Sequence, residues 1–445
     1  MARKCSRREF LKNTTMTSIG VTLGLTAFSA KSYGRIMGSN DRVNFMVVGL
    51  HGRGQEHIKS ISLCNNSIVS HICDVDRREL ERGIEVVKGI FGQAPVTGKD
   101  IRKLLDIKDI DAITIATPEH WHTPMTIMGL QAGKHVYVEK PPSHNPAEGE
   151  MLVEAQKKYG KLVQMGSQQR SSPYTIEAIQ KIHDGVIGKP YFGKTWYSNN
   201  RTSIGIGKEV PVPDYLDWDL WQGPAPRRSY KDNVHPYNWH WFWHWGTGET
   251  LNNGTHEVDL CLWALNVKYP LKVTASGGRY HFTDDWEFYD TIVTSFEYED
   301  KMITWEGKSC NNMQYYGRGR GTTIHGTEGT LLIDRGGYEI YNNENEKIFE
   351  YISPEQDVSI GTSGGGPMTD MHFQNLVNAI RTGEKLHSPI EVGNISVTML
   401  QLSNIAWKTG RTLNLNPANG HILNEKLAME MLWRREYEPG WELKI

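Results

Sequence analysis

Four short apolar runs in the first third of the chain alternate with stretches of helical periodicity. They span residues 43–48, 68–73, 112–116 and 135–138. Runs of this length without polar alternation are typical of strands that are buried on both faces, as in a parallel sheet. The sequence therefore predicts a doubly wound α/β domain that binds its ligands at the carboxyl ends of these strands.

A glycine-rich turn follows the first run and predicts a dinucleotide site. Its sequence is Gly-Leu-His-Gly-Arg-Gly, with glycines Gly49, Gly52 and Gly54, and with Arg53 before the last of them. His51 stands where the dinucleotide-binding pattern has its second glycine. We expect Gly52 to let the backbone approach the pyrophosphate instead, at the N-terminus of the next helix. An ordinary strand–turn–helix connection would explain the turn equally well.

Asp74 ends the second apolar run, twenty residues beyond the last glycine of the turn. A carboxylate at that distance accepts hydrogen bonds from the adenosine ribose hydroxyls. Its charge would repel a 2′-phosphate, so the sequence favours NAD over NADP, although Arg77 and Arg78 follow closely. The alternative role for Asp74 is to cap the N-terminus of the following helix.

Six further motifs run from the end of the third strand almost to the end of the chain. They are Thr-Pro-Glu-His-Trp-His at 117–122, Glu-Lys-Pro at 139–141, Gln-Met-Gly-Ser-Gln-Gln-Arg at 164–170, Asn-Trp-His-Trp-Phe-Trp at 238–243, Gly-Thr-His-Glu-Val-Asp at 254–259 and Arg-Glu-Tyr at 435–437. Together they resemble the Gfo/Idh/MocA family, named after glucose–fructose oxidoreductase and inositol dehydrogenase. The resemblance implies an NAD-binding Rossmann domain at 42–165. It also implies a second, α+β domain at 166–445 with an open, mostly antiparallel sheet, and a nicotinamide that lies between the two and faces a sugar or polyol.

The residues that close the third and fourth strands supply the other cofactor contacts that the resemblance implies. These are Thr117, His120, His122, Glu139, Lys140 and Gln168. His120 and His122 bracket a tryptophan where the nicotinamide ribose would lie, and simple packing is their alternative role.

Lys140 and His256 are the leading catalytic candidates. Oxidation of a secondary alcohol needs a base for the hydroxyl proton and a charge that stabilises the developing alkoxide. The resemblance implies that the ammonium of Lys140 hydrogen-bonds the reacting hydroxyl and that His256 is the base. The alternatives are a solvent-exposed lysine at a strand end and a structural histidine that opens an apolar helix.

Three neighbouring residues complete the candidate site. Asn252 stands where the family often has an aspartate that tunes the histidine, so the sequence departs from that proton relay. Asp259 would share a helical face with His256 and contact it or the substrate, or else serve as a structural cap. His244 replaces an acidic residue that is common in similar sequences, and it is either a second acid/base or an ordinary surface or core histidine.

Neither metal binding nor nucleic-acid binding is predicted. His235, His240, His244 and His256 lack a ligand spacing with a third acidic partner. The chain has 49 basic and 51 acidic residues and a formal net charge of −2, without basic blocks. No apolar run is long enough for a multi-span membrane protein.

Aromatic residues suggest a carbohydrate ligand. Six of the fourteen tryptophans lie between positions 218 and 245. Indole faces stack on the C–H faces of sugar rings. We expect most of the six to lie in the core and one or two to contact ligand.

The second half of the chain predicts antiparallel hairpins followed by helices. Alternating segments at 291–298 and 302–306, and at 330–333 and 338–341, flank short turns. Helices are expected at 371–382 and 396–409, and the most linker-like stretch is 361–366.

Residues 1–30 read as a targeting segment. Basic residues precede an uncharged, mildly apolar stretch, and Ser-Arg-Arg-Glu-Phe-Leu-Lys at 6–12 resembles the twin-arginine export signal. An amphipathic first helix is the alternative. The interpretation predicts transient contact with the twin-arginine export machinery and a linker at 31–41. It also predicts a periplasmic or otherwise extracytoplasmic enzyme that is exported together with its cofactor.

Three functions fit these observations. The first is a carbohydrate oxidoreductase with bound NAD that acts on a ring hydroxyl, with C3 of a hexopyranoside preferred. The second is a redox-neutral glycosidase that oxidises, eliminates, hydrates and reduces within one site. The third is a non-catalytic sugar-binding protein that retains NAD. By analogy with the family, a homo-oligomer is expected.

Overall fold

The computed structural model describes residues 42–353, 365–433 and 436–445. The predicted targeting segment at 1–30, the linker at 31–41, most of the 361–366 stretch and Arg435 of the 435–437 motif lie outside the described residues.

The first sheet has six parallel strands in the order β3-β2-β1-β4-β5-β6. This is the order of dinucleotide-binding Rossmann folds. The predicted fold class is confirmed here, and all four predicted strands form. The bounds are β1 Val43–Val48, β2 Ser67–Cys73, β3 Val96–Gly98, β4 Ala112–Ile115, β5 His135–Val138 and β6 Val163–Met165.

The central strands of this sheet are mostly apolar because helices cover both faces. Phe45 and Val47 of β1 pack into one core, whereas Met46 and Val48 pack into another on the opposite face. Two of the covering helices begin after capping side chains: Asp76 accepts a hydrogen bond from the N–H of Arg78 and caps α2, and Asn145 accepts one from the N–H of Glu148 and caps α4. The helices of this half are α1 Gly52–Leu63, α2 Arg77–Phe91, α3 His122–Gln131 and α4 Pro146–Tyr159.

The second sheet has nine strands in the order β14-β13-β12-β11-β7-β10-β9-β8-β15. Every neighbouring pair is antiparallel except β7 and β10, which are parallel. The predicted hairpins form: β9 ends one residue before its predicted bound, and the other three strands extend beyond theirs by one or two residues. The strands are β7 Pro190–Ser198, β8 Lys272–Gly278, β9 Thr291–Glu297, β10 Met302–Lys308, β11 Arg320–Gly326, β12 Gly329–Asp334, β13 Gly337–Asn342, β14 Lys347–Ile352 and β15 Leu413–Asn414.

One long helix positions the catalytic candidates on this sheet. The remaining helices are α5 Pro173–His183, α6 Trp218–Gln222, α7 Gly248–Leu265, α8 Pro367–Thr382, α9 Ile390–Thr409 and α10 Lys426–Met431. Every residue of α7 except Trp263 is buried, between the sheet and α9. The expectation that His256 opens a helix is wrong, because α7 begins eight residues earlier and places His256 in its middle.

Two later segments pack against the first sheet rather than the second. Phe373 and Leu376 of α8 join the core that contains Phe45, and Trp441 near the chain end packs against the core on the other face. The nucleotide-binding half therefore depends on residues far beyond position 165 for the closure of its cores.

Within the described residues, the model contains no helix with both the length and the apolar character needed to cross a membrane.

Candidate functional site

A cavity of about 460 Å³ opens at the carboxyl ends of β1, β2, β4 and β5 and extends to α7. It brings together most of the residues that the sequence singled out. The predicted site residues that line it are Gly49, His51, Gly52, Arg53, Asp74, Thr117, His122, Glu139, Lys140, Gln168, Asn252 and His256.

The glycine turn is shaped by close backbone approaches. Gly49 has a φ of +81°, and a Cβ there would lie 2.7 Å from the carbonyl carbon of Ala116. A Cβ on Gly54 would lie 1.8 Å from the carbonyl oxygen of Gly49, so Gly54 allows α1 to pack against the turn rather than facing the cavity. No side chain caps the first turn of α1. The N–H of Gly54 donates to the carbonyl oxygen of His51 at 2.8 Å, whereas the N–H of Gly52 has no partner among the described residues and is available to a phosphate.

His51 leaves the turn open although it replaces a glycine. Its side chain is 54% exposed and swings toward α2, where Nδ1 lies 3.1 Å from Glu79. This hydrogen bond raises the pKa of His51. The imidazole thus borders the phosphate-binding turn without filling it.

Asp74 lies at the end of β2 and holds the turn. Its carboxylate accepts hydrogen bonds from the N–H of Leu50 at 2.6 Å and of Asp76 at 2.8 Å. Burial raises the pKa of Asp74 to about 6. The N-cap role that was the alternative for Asp74 belongs to Asp76.

The two arginines after Asp74 are engaged elsewhere. Arg78 makes a bidentate pair with Asp76, with contacts of 3.1 and 2.8 Å, and its guanidinium lies 3.4 Å from the ring centroid of Tyr215. Arg77 lies 3.8 Å from Asp214.

Glu139 is the centre of a buried charge network below the turn. Its carboxylate accepts hydrogen bonds from Arg53 at 2.7 Å and Gln168 at 3.3 Å, and it lies 3.1 Å from Nε2 of His57. Burial opposes its ionisation, but the charge of Arg53 and the contact with His57 outweigh burial and hold the pKa of Glu139 well below its usual range. Arg53 and Gln168 are thereby fixed at the cavity wall.

Lys140 crosses the cavity from the end of β5 to α7. Its ammonium donates to the backbone carbonyl of Asn252 and, at 3.2 Å, to Oδ1 of the same residue. Burial lowers the pKa of Lys140 to about 8, and the charges of Glu139 and Glu119 oppose this only in part. Asn252 in turn donates from Nδ2 to Glu249 at 3.3 Å, which fixes its amide.

His256 faces the cavity from the middle of α7. It is 6% exposed, and no described residue hydrogen-bonds its Nδ1. Burial, together with the charges of Arg335 and Lys140, holds the pKa of His256 well below its usual range, so the imidazole is neutral. A buried nitrogen without a protein partner is typical of a site that a ligand completes.

Besides Gly54, three predicted site residues lie elsewhere, since none is among the described residues that line the cavity. Asp259 makes a bidentate ion pair with Arg170 at 2.6 and 2.9 Å, and Ser396 donates to it at 2.6 Å. Nε2 of His244 lies 2.7 Å from the carbonyl oxygen of Pro226. Because these partners occupy their polar groups, neither side chain reaches the cavity.

The other two predicted nicotinamide contacts have backbone partners. Nε2 of His120 lies 3.0 Å from the carbonyl oxygen of Trp221, and burial lowers the pKa of His120 to about 3. His120 is the third predicted site residue outside the cavity lining. His122 does line it, with its ring held between the carbonyl oxygens of Pro141 at 2.6 Å and Thr117 at 2.8 Å.

The sequence analysis missed several residues of the cavity wall. They come from the irregular segment 199–246 and from a hairpin turn, and they include Asn199, Arg201, Tyr237, His240 and Arg335. Arg201 makes a bidentate pair with Glu249 and lies 4.8 Å from the ring centroid of Trp241. The alternating tryptophans at 239–245 were the available signal, because the missed His240 lies among them.

The same segment forms a wall over the nucleotide half. The N–H of Arg77 donates to the carbonyl of Tyr215 at 2.9 Å, and the N–H of Asp217 donates to that of Val75 at 3.1 Å. Of the six tryptophans at 218–245, Trp221 and Trp239 line the cavity. The wall closes the end of the cavity where Asp74 lies.

These residues fit a nicotinamide dinucleotide. The uncapped helix start, the carboxylate at the end of β2 and the orphaned nitrogen of His256 lie along one continuous cavity. A Rossmann sheet with its cavity at the carboxyl ends of the strands, joined to a mostly antiparallel sheet, defines a two-domain, dinucleotide-binding oxidoreductase.

Family comparisons agree with this class. A model described as "Oxidoreductase family, NAD-binding Rossmann fold" matches residues 43–167, and one described as "Oxidoreductase family, C-terminal alpha/beta domain" matches residues 191–442. The chain belongs to the Gfo/Idh/MocA oxidoreductase family. The predicted membership and the nicotinamide cofactor are confirmed.

The curated relatives that the chain matches are described as glycosyl hydrolases rather than as oxidoreductases. The chain is 27% identical over 210 residues to a glycosyl hydrolase family 109 protein of Shewanella pealeana, a match that covers 44% of this chain and 46% of the relative. It is 28% identical over 208 residues to a protein of the same description from Shewanella putrefaciens, with 43% and 45% covered. The chain thus spans about half the length of the curated relatives it matches.

Solved structures share the fold. The WlbA dehydrogenase of Bordetella pertussis, in complex with NADH and UDP-GlcNAcA, is 19% identical with a TM-score of 0.62, over 84% of this chain and 99% of that one. Levoglucosan dehydrogenase, in complex with NADH and levoglucosan, is 16% identical with a TM-score of 0.64 at the same coverage.

Proposed function

We propose that this protein is an exported carbohydrate oxidoreductase that uses a tightly held NAD to oxidise or reduce a ring hydroxyl of a sugar or glycoside, preferentially at C3 of a hexopyranoside. The observation that carries the proposal is the presence of Lys140 and His256 in one cavity with the glycine turn. Neither residue is paired with a protein carboxylate in any described contact, so both are available to a hydroxyl.

Each of the two residues has a defined task. A nicotinamide bound in the cavity supplies a hydride acceptor for a secondary alcohol. Lys140, aimed by its two contacts with Asn252, has a further N–H to donate to the reacting hydroxyl and stabilises the negative charge that develops there. His256 is neutral and accepts the hydroxyl proton.

The contacts around Asp74 support NAD rather than NADP. Its carboxylate lies in the cavity at the end of β2, where it repels a 2′-phosphate. The two arginines that follow Asp74 in the sequence have other partners: Arg78 pairs with Asp76, and Arg77 lies 3.8 Å from Asp214.

A sugar substrate is supported by the aromatic wall and by the related proteins. Trp221, Trp239 and Tyr237 border the same cavity as Lys140, and flat rings of this kind stack on sugar C–H faces. The fold neighbours include dehydrogenases solved with UDP-GlcNAcA and with levoglucosan.

A redox-neutral glycosidase is the second candidate. It is favoured by the curated relatives, which are described as glycosyl hydrolase family 109 proteins. Outside the cytoplasm, where free NAD is not replenished, a held cofactor must return to its starting state in the same site. Both candidates satisfy that requirement. In the oxidoreductase, a second sugar or ketone returns the cofactor to its starting state, and in the glycosidase the same sugar does so when its ketone is reduced.

The freshly isolated protein tests the proposal spectroscopically. Addition of a methyl hexopyranoside should change the absorbance of the bound cofactor near 340 nm. The variants K140M and H256N should abolish this change, and H244N, which lies outside the cavity, is the matched control. An unchanged spectrum across a panel of glycosides would overturn the proposal and favour a non-catalytic sugar-binding protein. A product that has lost two hydrogens supports the oxidoreductase, whereas a free aglycone supports the glycosidase.

Two further features remain part of the proposal: export through the twin-arginine pathway and assembly into a homo-oligomer. Localisation of the full-length chain with its Arg7-Arg8 pair intact or replaced by lysines tests the first. The mass of the native assembly tests the second.

A further inference from the structure

A second imidazole, that of His240, lines the cavity that holds Lys140 and His256. It lies in the 3₁₀ turn Asn238–Trp241 of the irregular wall segment. The reaction steps assigned to Lys140 and His256 make no use of it.

The position of His240 is fixed from three sides. Its ring stacks on Trp239 with centroids 3.6 Å apart and planes 20° from parallel. Its Nδ1 lies 2.7 Å from the carbonyl oxygen of Tyr237. A Cβ on Gly246 would lie 2.6 Å from the Cα of His240, so the wall segment packs closely behind the ring. A side chain held in this way is preorganised rather than free to rotate.

The contact with Tyr237 determines the tautomer. A carbonyl oxygen only accepts hydrogen bonds, so Nδ1 must carry the proton. In the neutral ring, Nε2 then keeps its lone pair, and no described residue hydrogen-bonds to it. Burial, reinforced by the charges of Lys140 and Arg201, holds the pKa of His240 well below its usual range. The ring therefore presents a proton acceptor to the cavity at neutral pH.

We propose that His240 is the base that removes the proton from the ring carbon next to the oxidised carbon of the sugar. The inference rests on the proposed function, since it needs a sugar ketone in the cavity. It gives His240 a role in the second candidate function, the redox-neutral glycosidase.

The proposed steps balance. Nε2 of His240 takes the C2 proton of a 3-keto glycoside, and the C–H electron pair forms a C1–C2 double bond conjugated with the ketone. The C1–O bond breaks with its electron pair, and the departing aglycone oxygen takes a proton from a water molecule. The hydroxide formed from that water then adds at C1, the C1–C2 π electrons move to C2, and C2 takes back the proton from His240. His240 ends in its starting state, with one water consumed and one alcohol released.

The other candidates for this second base lie outside the cavity lining. Asp259 is bound to Arg170 and Ser396, and Nε2 of His244 contacts the carbonyl of Pro226. His256 is committed to the hydroxyl proton. His235 also lines the cavity, but its Nε2 lies 3.8 Å from the carboxylate of Asp76. His240 combines a cavity position with a ring nitrogen that has no such charged neighbour and no hydrogen-bond partner among the described residues.

Hydrogen exchange on a ketone tests the role without a preceding oxidation step. Methyl 3-keto-β-glucopyranoside is incubated in D₂O with the isolated holoprotein, and deuterium at C2 is followed by NMR. Wild type should accelerate exchange over the protein-free rate, and H240N should lose about 100-fold or more of that acceleration. Asparagine keeps a donor for Tyr237, so H240N removes the base while retaining the structural contact. H244N, the matched control, should exchange at the wild-type rate.

A second readout is independent of turnover and of variant folding. The ¹⁵N shifts of the His240 ring in wild-type protein should report a neutral ring protonated at Nδ1 and should change when the keto glycoside binds. A charged ring, or the Nε2–H tautomer, would overturn the assignment.

The outcomes also separate this inference from the proposed function. Wild-type protein that changes absorbance near 340 nm with glycosides but does not accelerate C2 exchange would overturn the role of His240 and leave the oxidoreductase standing. Exchange by H240N at the wild-type rate would do the same. An absorbance that no glycoside changes counts against the proposed function itself.

Discussion

Lys140 donates hydrogen bonds to both the backbone carbonyl and the side-chain oxygen of Asn252, and this contact links the end of β5 to α7 across the cavity. The two residues belong to the two sheet domains, so the ammonium is positioned by both. The amide of Asn252 is neutral and adds no negative charge beside the ammonium. Burial therefore has the largest effect on Lys140 and lowers its pKa to about 8.

The variant N252D should move the alkaline limb of the pH–activity profile to higher pH. A carboxylate beside the ammonium favours its charged form, so the pKa of Lys140 rises from about 8. Activity that needs the ammonium is lost as the pH rises through that pKa. We expect the limb to shift upward by about one pH unit, measured as kcat/KM with a glycoside. An unchanged or lower limb would show that the ionisation of Lys140 does not control the rate.

Replacement of Asp74 should change the choice of cofactor. D74N removes the negative charge that repels a 2′-phosphate and weakens the hydrogen bonds to the ribose. The ratio of the NADP and NAD dissociation constants should therefore fall about ten- to a hundredfold. A ratio is insensitive to partial unfolding, which matters because Asp74 also accepts from Leu50 and Asp76. An unaltered ratio would mean that Asp74 acts only on the turn.

The fold should lose stability in mild acid because it buries neutral histidines. Burial lowers the pKa of both His57 and His372 to about 4, whereas an unfolded histidine titrates near pH 6.5. The unfolded state therefore binds more protons, and stability that is complete above about pH 6.5 is lost as the pH falls toward about 4. Each histidine contributes up to about 1.4 kcal/mol per pH unit in this window.

Urea unfolding at about pH 7 and about pH 5 measures this dependence. Wild type should show a lower free energy of unfolding at the lower pH, and H372N a smaller difference between the two. Equal stability at both pH values would contradict the burial of these imidazoles in neutral form.

The variant D259N distinguishes a structural role of Asp259 from a catalytic one. D259N breaks a buried pair with Arg170, which typically costs about 3–5 kcal/mol of stability. Its carboxylate lies outside the cavity lining, so kcat per folded molecule should remain within about twofold of wild type. Chemical denaturation measures the free energy of unfolding, and active-site titration gives the concentration of folded sites from which kcat is calculated. A folded D259N protein with strongly reduced kcat would place Asp259 in the chemistry after all.

The parts of the fold that the sequence predicted are those governed by local pattern. The runs at 43–48 and 135–138 are mostly apolar, without polar alternation, because both faces of the first sheet are covered, and they form strands at the predicted bounds. The alternation in 291–298 reflects a sheet that is buried on one face. Lys140 and His256 were found because the motifs that contain them resemble motifs of the Gfo/Idh/MocA family.

Residues placed by long-range contacts left no such pattern. Arg201 is held by Glu249, 48 positions away in the chain, and His240 lies in a short 3₁₀ turn of an irregular segment, so neither shows a helix or strand periodicity. Asp259 shares a helix with His256, but its partner Arg170 lies 89 positions away in the chain. Spacing alone suggested a catalytic pair, whereas the buried ion pair turned the carboxylate away from the cavity.

Native mass spectrometry of freshly isolated, unextracted protein most directly tests whether a dinucleotide is held in this cavity. The account predicts one nicotinamide adenine dinucleotide per chain, retained through purification and released only on denaturation. Protein that is isolated empty, and that takes up neither NAD nor NADP when either is added, would contradict it.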